Sequence, residues 1–111
     1  MTICDRFDVV VVLFPFTDVA VQRGRPALML SNRAFNTAHG HSILAMITTA
    51  AQSSWPTDHI IGALPAAGLR VASVVRFKVF TLSNALISRQ IGTLAPADRQ
   101  GLDAALDRIL R

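Results

Sequence analysis

Apolar residues in this chain come in short runs separated by polar, Gly- and Pro-rich stretches, a pattern that predicts several strands and one terminal helix. The β-branched run Val9-Val10-Val11-Val12, within Asp8 to Phe14, predicts a buried strand that Pro15 ends or places at an edge. Thr17 to Gly24 carries Asp18, Gln22, Arg23 and Gly24 and reads as a loop. A second strand follows over Ala27 to Ser31. Asn32 suits a helix cap, with Arg33 to Ala38 forming one or two turns that end at Gly40. Ser42 to Thr48 is the third strand, Ala50 to Thr57 a loop, His59 to Ile61 a short strand, and Gly62 to Arg70 another loop. Ser73 to Leu82 reads as a long strand. Asn84 to Leu94 is ambiguous, with Ile91-Gly92-Thr93-Leu94 as a final short strand.

From Pro96 onward the periodicity changes to that of a helix. Pro suits the first helical turn. Leu102, Ala105, Leu106, Ile109 and Leu110 recur at three- and four-residue spacing and share one face, which predicts packing on the sheet, with a dimer contact as the other use of such a stripe. Asp98, Arg99, Asp103, Asp107 and Arg108 fall mostly off that face. Gly101 costs this helix about 1 kcal/mol relative to Ala. The whole pattern predicts a small, curled, mostly antiparallel sheet, a barrel of the SH3-like kind, with one domain spanning residues 1–111.

Composition narrows the partners. The 11 basic residues are ten Arg and Lys78; the 7 acidic residues are all Asp, giving a formal net charge of +4. An Arg-dominated excess fits phosphates, nucleic acid or an acidic protein partner. One cysteine, Cys4, precludes an internal disulfide and a Cys-cluster zinc site. The first apolar run is short, follows Asp5 and Asp8 and is broken by Pro15, unlike a signal peptide, and no run reaches the length of a membrane span; the expectation is a soluble cytoplasmic protein without membrane contact.

Candidate chemistry lies at two strand ends. Arg23-Gly24-Arg25-Pro26 opens one apolar run and Thr48-Thr49 closes another. The guanidinium is a planar, permanently charged fork that matches a phosphate, and a threonine hydroxyl donates to the same anion. The alternative is a surface charge before an edge strand and ordinary strand threonines. Histidine is the usual acid or base in catalysis near neutral pH, which makes His39, His41 and His59 candidates. His39 and His41 flank Gly40 in a turn, where a solvated histidine is the commoner case. They could share an ion, but no acid or Cys lies nearby in sequence to complete a site, so neither a metal nor a cofactor is expected. Phe16 and Trp55 lie in polar loops, suited either to stacking on unpaired bases or to covering the core edge.

Taken in order, these segments resemble the MazF/PemK-like toxins. The stretch Asp8 to Asp18 resembles that family's opening strand and loop, and Arg25-Pro26-Ala27-Leu28-Met29-Leu30-Ser31 its arginine–proline strand. Ala34-Phe35-Asn36, Ile47-Thr48-Thr49, Val74-Val75-Arg76 and Ile91-Gly92-Thr93-Leu94 with the final helix follow in the expected sequence. The resemblance implies a mostly β fold with added helices, the SH3-like small barrel of MazF/PemK/CcdB-like toxins. It also implies a type II toxin: a homodimeric, metal-independent endoribonuclease that cuts single-stranded RNA. A cognate antitoxin would silence it, and operator DNA would be met only through the toxin–antitoxin complex.

On the residues that match, the resemblance makes Arg25 the central catalytic group, Thr48 its partner on the phosphate, and Arg76 a second donor or acid. Phe16, Thr17, Asp18, Arg23, Thr49, Gln52 and Lys78 are the expected substrate-binding residues. Two departures stand out. Lys78 replaces the acid that many relatives carry two residues after the arginine, which leaves the general base unassigned. Phe7 stands where relatives often have Gly, a change expected to alter only the approach to the first strand. The same fold also hosts toxins that inhibit DNA gyrase, and a groove that binds antitoxin or RNA without cutting is a further alternative.

Overall fold

The structure, a computed structural model, describes residues 2–13, 24–51 and 54–111. Its strands are β1 (Asp8–Leu13), β2 (Gly24–Met29), β3 (His41–Thr49), β4 (His59–Ile60), β5 (Ser73–Ser83) and β6 (Ile87–Thr93). They form one antiparallel sheet in the order β4-β5-β3-β2-β1-β6. Two helices are added, α1 (Arg33–His39) and α2 (Pro96–Leu110). The mostly β class and the terminal helix are as expected, but the barrel is not closed: among the described residues no ladder joins β4 to β6. The turn-rich segment after β4 fills that gap instead. Its Ala66 carbonyl accepts from the Thr93 N–H at 3.0 Å. It also presses so closely on Gly92 that a Cβ there would lie 2.4 Å from the Ala67 carbonyl carbon.

Both faces of the sheet are covered, which explains why β1 reads as an unbroken valine run. Val9 joins Leu28, Ala45, Ile47, Val75, Leu94 and Leu102 on the face beneath α2. Val10 and Val12 join Cys4, Ala27, Met29, Leu44, Leu82 and Ile87 on the other. Asn32 caps α1 by accepting from the Phe35 N–H at 2.9 Å, and Gly40 ends it in the left-handed conformation.

Several boundaries move. The second strand begins at Gly24 and ends at Met29, and the last begins at Ile87, well before Ile91. Two irregularities in the β1–β6 ladder leave Ser88, Arg89 and Gln90 all exposed, so no alternation marks β6 in the sequence. In α2, Leu102 and Ala105 are buried as expected, whereas Ile109 and Leu110 remain exposed and Asp98 is buried. Phe7 adopts a left-handed φ of 73°. It is held there by its N–H to Met29 O at 2.8 Å, its carbonyl to Leu94 N at 3.0 Å, and the guanidinium groups of Arg6 and Arg99 over its ring. Glycine adopts this conformation freely, whereas it costs a bulky residue about 1–2 kcal/mol.

Candidate functional site

Antiparallel pairing brings the two candidate strand ends together, because β2 starts where β3 finishes. Face parity does the rest. Arg25 has the parity of Ala27 on β2, and Thr48 that of Met46 on β3, and Ala27 pairs with Met46. Across β3, Met46 pairs with Arg76 and Thr48 with Val74, so Arg76 joins the same face. The β2–β3 ladder begins at Ala27, one residue after Pro26, which has no N–H to contribute. Beyond it lies an open cleft of about 660 Å³ lined by Arg25, Pro26, Ile47, Thr48, Thr49, Leu69, Val71, Ser73 and Arg76. Arg25 and Thr49 are exposed and Thr48 is half-buried.

Arg76 differs from Arg25 in being buried and in a tight ion pair. Its Nε donates to Asp58 Oδ1 at 3.1 Å and its Nη2 to Oδ2 at 2.8 Å. The Arg76 side chain holds the Asp58 carboxyl below the usual carboxylate range, and Asp58 raises Arg76 above the ordinary arginine value. In this pair Arg76 is the hydrogen-bond donor and Asp58 the acceptor. The indole of Trp55, partly exposed, lies 5.2 Å from the Arg76 guanidinium and 5.5 Å from Lys78 Nζ, within cation–π range. Lys78 is exposed and sits outside the residues that line the cleft. It falls in a bulge: Ala45 pairs with Val79 and Met46 with Arg76, leaving Phe77 and Lys78 unmatched on β5.

The histidines stand apart from the cleft. His59 Nε2 contacts Asp98 Oδ1 at 3.0 Å, tying β4 to the first turn of α2. His39 packs on the Phe35 ring with centroids 4.4 Å apart, and His41 Nδ1 lies 3.0 Å from His39 O. Phe16, Thr17, Asp18, Arg23 and Gln52 lie outside the described residues. Of the remaining expected residues, the structure gathers Arg25, Thr48, Thr49 and Arg76 in one cleft. Asp58, which binds Arg76, received no role from the sequence; its separation of 18 residues hides the pair, and the only local signal is an Asp just ahead of a short strand.

The sequence matches the family described as PemK-like, MazF-like toxin of type II toxin–antitoxin system over residues 5–110. A search of curated proteins finds no match. The fold is similar to that of a MazE–MazF complex from Deinococcus radiodurans, with a TM-score of 0.76, 19% identity and coverage of 99% of this chain and 97% of that one. It is similar to an endoribonuclease in complex with its cognate antitoxin from Mycobacterial species, with a TM-score of 0.74, 21% identity and coverage of 99% and 95%. The Mycobacterium tuberculosis toxin MazF-mt6 aligns with a TM-score of 0.73 and 21% identity over 93% of this chain and 95% of its own. With the match running almost end to end, the chain belongs to the PemK-like, MazF-like toxins of type II toxin–antitoxin systems.

Proposed function

We propose that this toxin is a metal-independent, sequence-selective endoribonuclease that cuts single-stranded RNA by attack of the ribose 2′-hydroxyl. The observation that carries this reading is the convergence of Arg25, Thr48 and Arg76 on one open cleft. In the reaction the 2′-oxygen bonds to phosphorus, the bond from phosphorus to the 5′-oxygen breaks, and a 2′,3′-cyclic phosphate and a 5′-hydroxyl result. One proton leaves the 2′-hydroxyl and one reaches the departing oxygen. Negative charge grows on the non-bridging oxygens, where fixed cationic donors stabilise it most. Arg25, exposed at the mouth, fits the role of charge clamp, since a guanidinium is a planar fork of donors with no acceptor. Thr48 donates its hydroxyl to a non-bridging oxygen, and Arg76 supplies further donation from the cleft wall. Trp55, beside Arg76, offers an aromatic face to an unstacked base.

The family also supports a homodimer and an acidic antitoxin. Similar folds include a toxin solved with MazE and an endoribonuclease solved with its cognate antitoxin. An acidic, flexible segment is the natural occupant of a basic cleft in a chain of net charge +4.

The test is cleavage of a long single-stranded RNA by the purified protein in excess EDTA, beside Arg25→Ala. Wild-type cleavage with cyclic-phosphate ends, reduced at least about 100-fold in the variant, is expected for loss of a transition-state donor. A folded wild type that leaves RNA intact overturns the reading in favour of gyrase inhibition or binding alone.

A further inference from the structure

Arg76 is the only buried Lys or Arg among the described residues, and it is held by Asp58 from the turn just ahead of β4. We propose that Asp58 is a positioning residue of the cleavage site: it aims the Arg76 guanidinium into the cleft and does not itself touch RNA. This rests on the endoribonuclease reading.

The two side chains are each 8% exposed and meet through two parallel bonds, the arrangement that fixes a guanidinium in both position and plane. The carboxylate is itself anchored. Its Oδ2 accepts from the Trp55 N–H at 2.9 Å, and the Asp58 N–H donates to the Trp55 carbonyl at 3.0 Å, closing a tight turn. The next residue starts β4, where His59 pairs with Val75 and Ile60 with Val74, so the anion stands immediately ahead of a strand bonded directly to the one carrying Arg76. Trp55 then covers the guanidinium. Position 78 is a lysine, so β5 supplies no carboxylate of its own to do this.

The pair is neutral as a whole, so what Arg76 offers the substrate is direction more than net charge. Removing the carboxylate charge takes away the two-bond clamp on the guanidinium and leaves the cleft more positive. RNA binding should hold or tighten while turnover falls, a split that loss of folded protein does not produce.

The experiment is steady-state cleavage of a short fluorogenic RNA by wild type, Arg25→Ala, Asp58→Asn, Arg76→Ala and the Asp58→Asn/Arg76→Ala double variant. Asp58→Asn is expected to lower kcat about 100-fold, the scale of a displaced catalytic group, with KM unchanged or lower. The double variant should match Arg76→Ala, because Asp58 acts only through Arg76. Asp58→Glu keeps the charge while shifting it by one methylene, and should lower kcat less, at wild-type Tm. It keeps the question open to measurement if Asp58→Asn folds poorly, and wild-type kcat in a folded Asp58→Glu together with additive losses in the double variant overturns the proposal. So does a raised KM at constant kcat in Asp58→Asn, which marks direct RNA contact. A wild type that cuts no RNA, or an Arg25→Ala that cuts as well as wild type, overturns the parent reading and this inference with it, and is recognised because the fault lies outside the Asp58 variants.

Discussion

Asp98 looks like a surface residue of the helix and is instead the point where α2 is pinned to the sheet. One of its oxygens accepts from the Gly62 N–H at 2.9 Å and from His59, the other from the Ala63 N–H at 3.0 Å. Burial pushes its carboxyl up, but those two N–H groups and the imidazole outweigh burial and hold its pKa below the ordinary 3.8. A group whose folded pKa is depressed stabilises the fold fully above its unfolded pKa, and that stability disappears as pH falls through the lower folded value. Asp98→Asn is therefore expected to destabilise by about 2 kcal/mol at neutral pH, the scale of lost charge-assisted bonds. In urea unfolding the gap between variant and wild type should close below about pH 4, where the unfolded carboxyl protonates. A gap that stays constant down to pH 2 would place the cost in packing instead.

At the scale of elements, α2 and β4 are built for one another. Helix propensity alone predicts that Gly101→Ala stabilises by about 1 kcal/mol. The fold reverses that sign: a Cβ at Gly101 would lie 2.5 Å from Cε1 and 2.9 Å from Nδ1 of His59, whose ring is tethered to Asp98. The substitution is expected to lower stability by about 1–3 kcal/mol through overpacking. In a His59→Ala background, where the obstruction is gone, the same substitution should raise Tm. Thermal melts of the four proteins decide it; stabilisation in the wild-type background would mean the imidazole can move aside freely. The element-level cause of the cleft is similar in kind. Pro26 curtails the β2–β3 ladder, so those two strands part where Arg25 and Thr48 stand, while β3 stays paired with β5 through Thr49.

For the molecule as a whole, the proposed endoribonuclease activity predicts that the charge distribution governs RNA affinity more than turnover. Each phosphate contact on a single strand contributes about 0.7 to the slope of log K against log salt. Lys78 is exposed beside Trp55 and outside the cleft lining, which suits it to hold the strand beyond the scissile bond. Lys78→Gln is expected to weaken RNA binding uniformly across sequences and to reduce the salt slope by about 0.7, with kcat little changed. Fluorescence anisotropy over a salt series measures this, using a non-cleavable RNA carrying a 2′-deoxyribose at the cut. An unchanged slope would remove Lys78 from the binding surface.

The pattern of side chains along the chain determined what each segment could be. An unbroken valine run needs cover on both faces, Asn32 and Gly40 delimit a short helix, and a three-and-four spacing after Pro96 builds α2; these are local consequences of backbone geometry and burial. The order of motifs also carried the family, and with it the proposal that Arg25, Thr48 and Arg76 form the site. Only the tertiary structure decided which polar groups meet. Asp58 with Arg76, and Asp98 with His59, are separated by 18 and 39 residues, and neither sequence period nor spacing reports such a pair. The same holds for the open barrel, because the segment that fills the gap between β4 and β6 has turn chemistry but no sequence signal for its packing on Gly92. Local patterns are written in a few neighbouring residues, whereas ion pairs, bulges and filled gaps depend on where strands stop and how two distant surfaces fit.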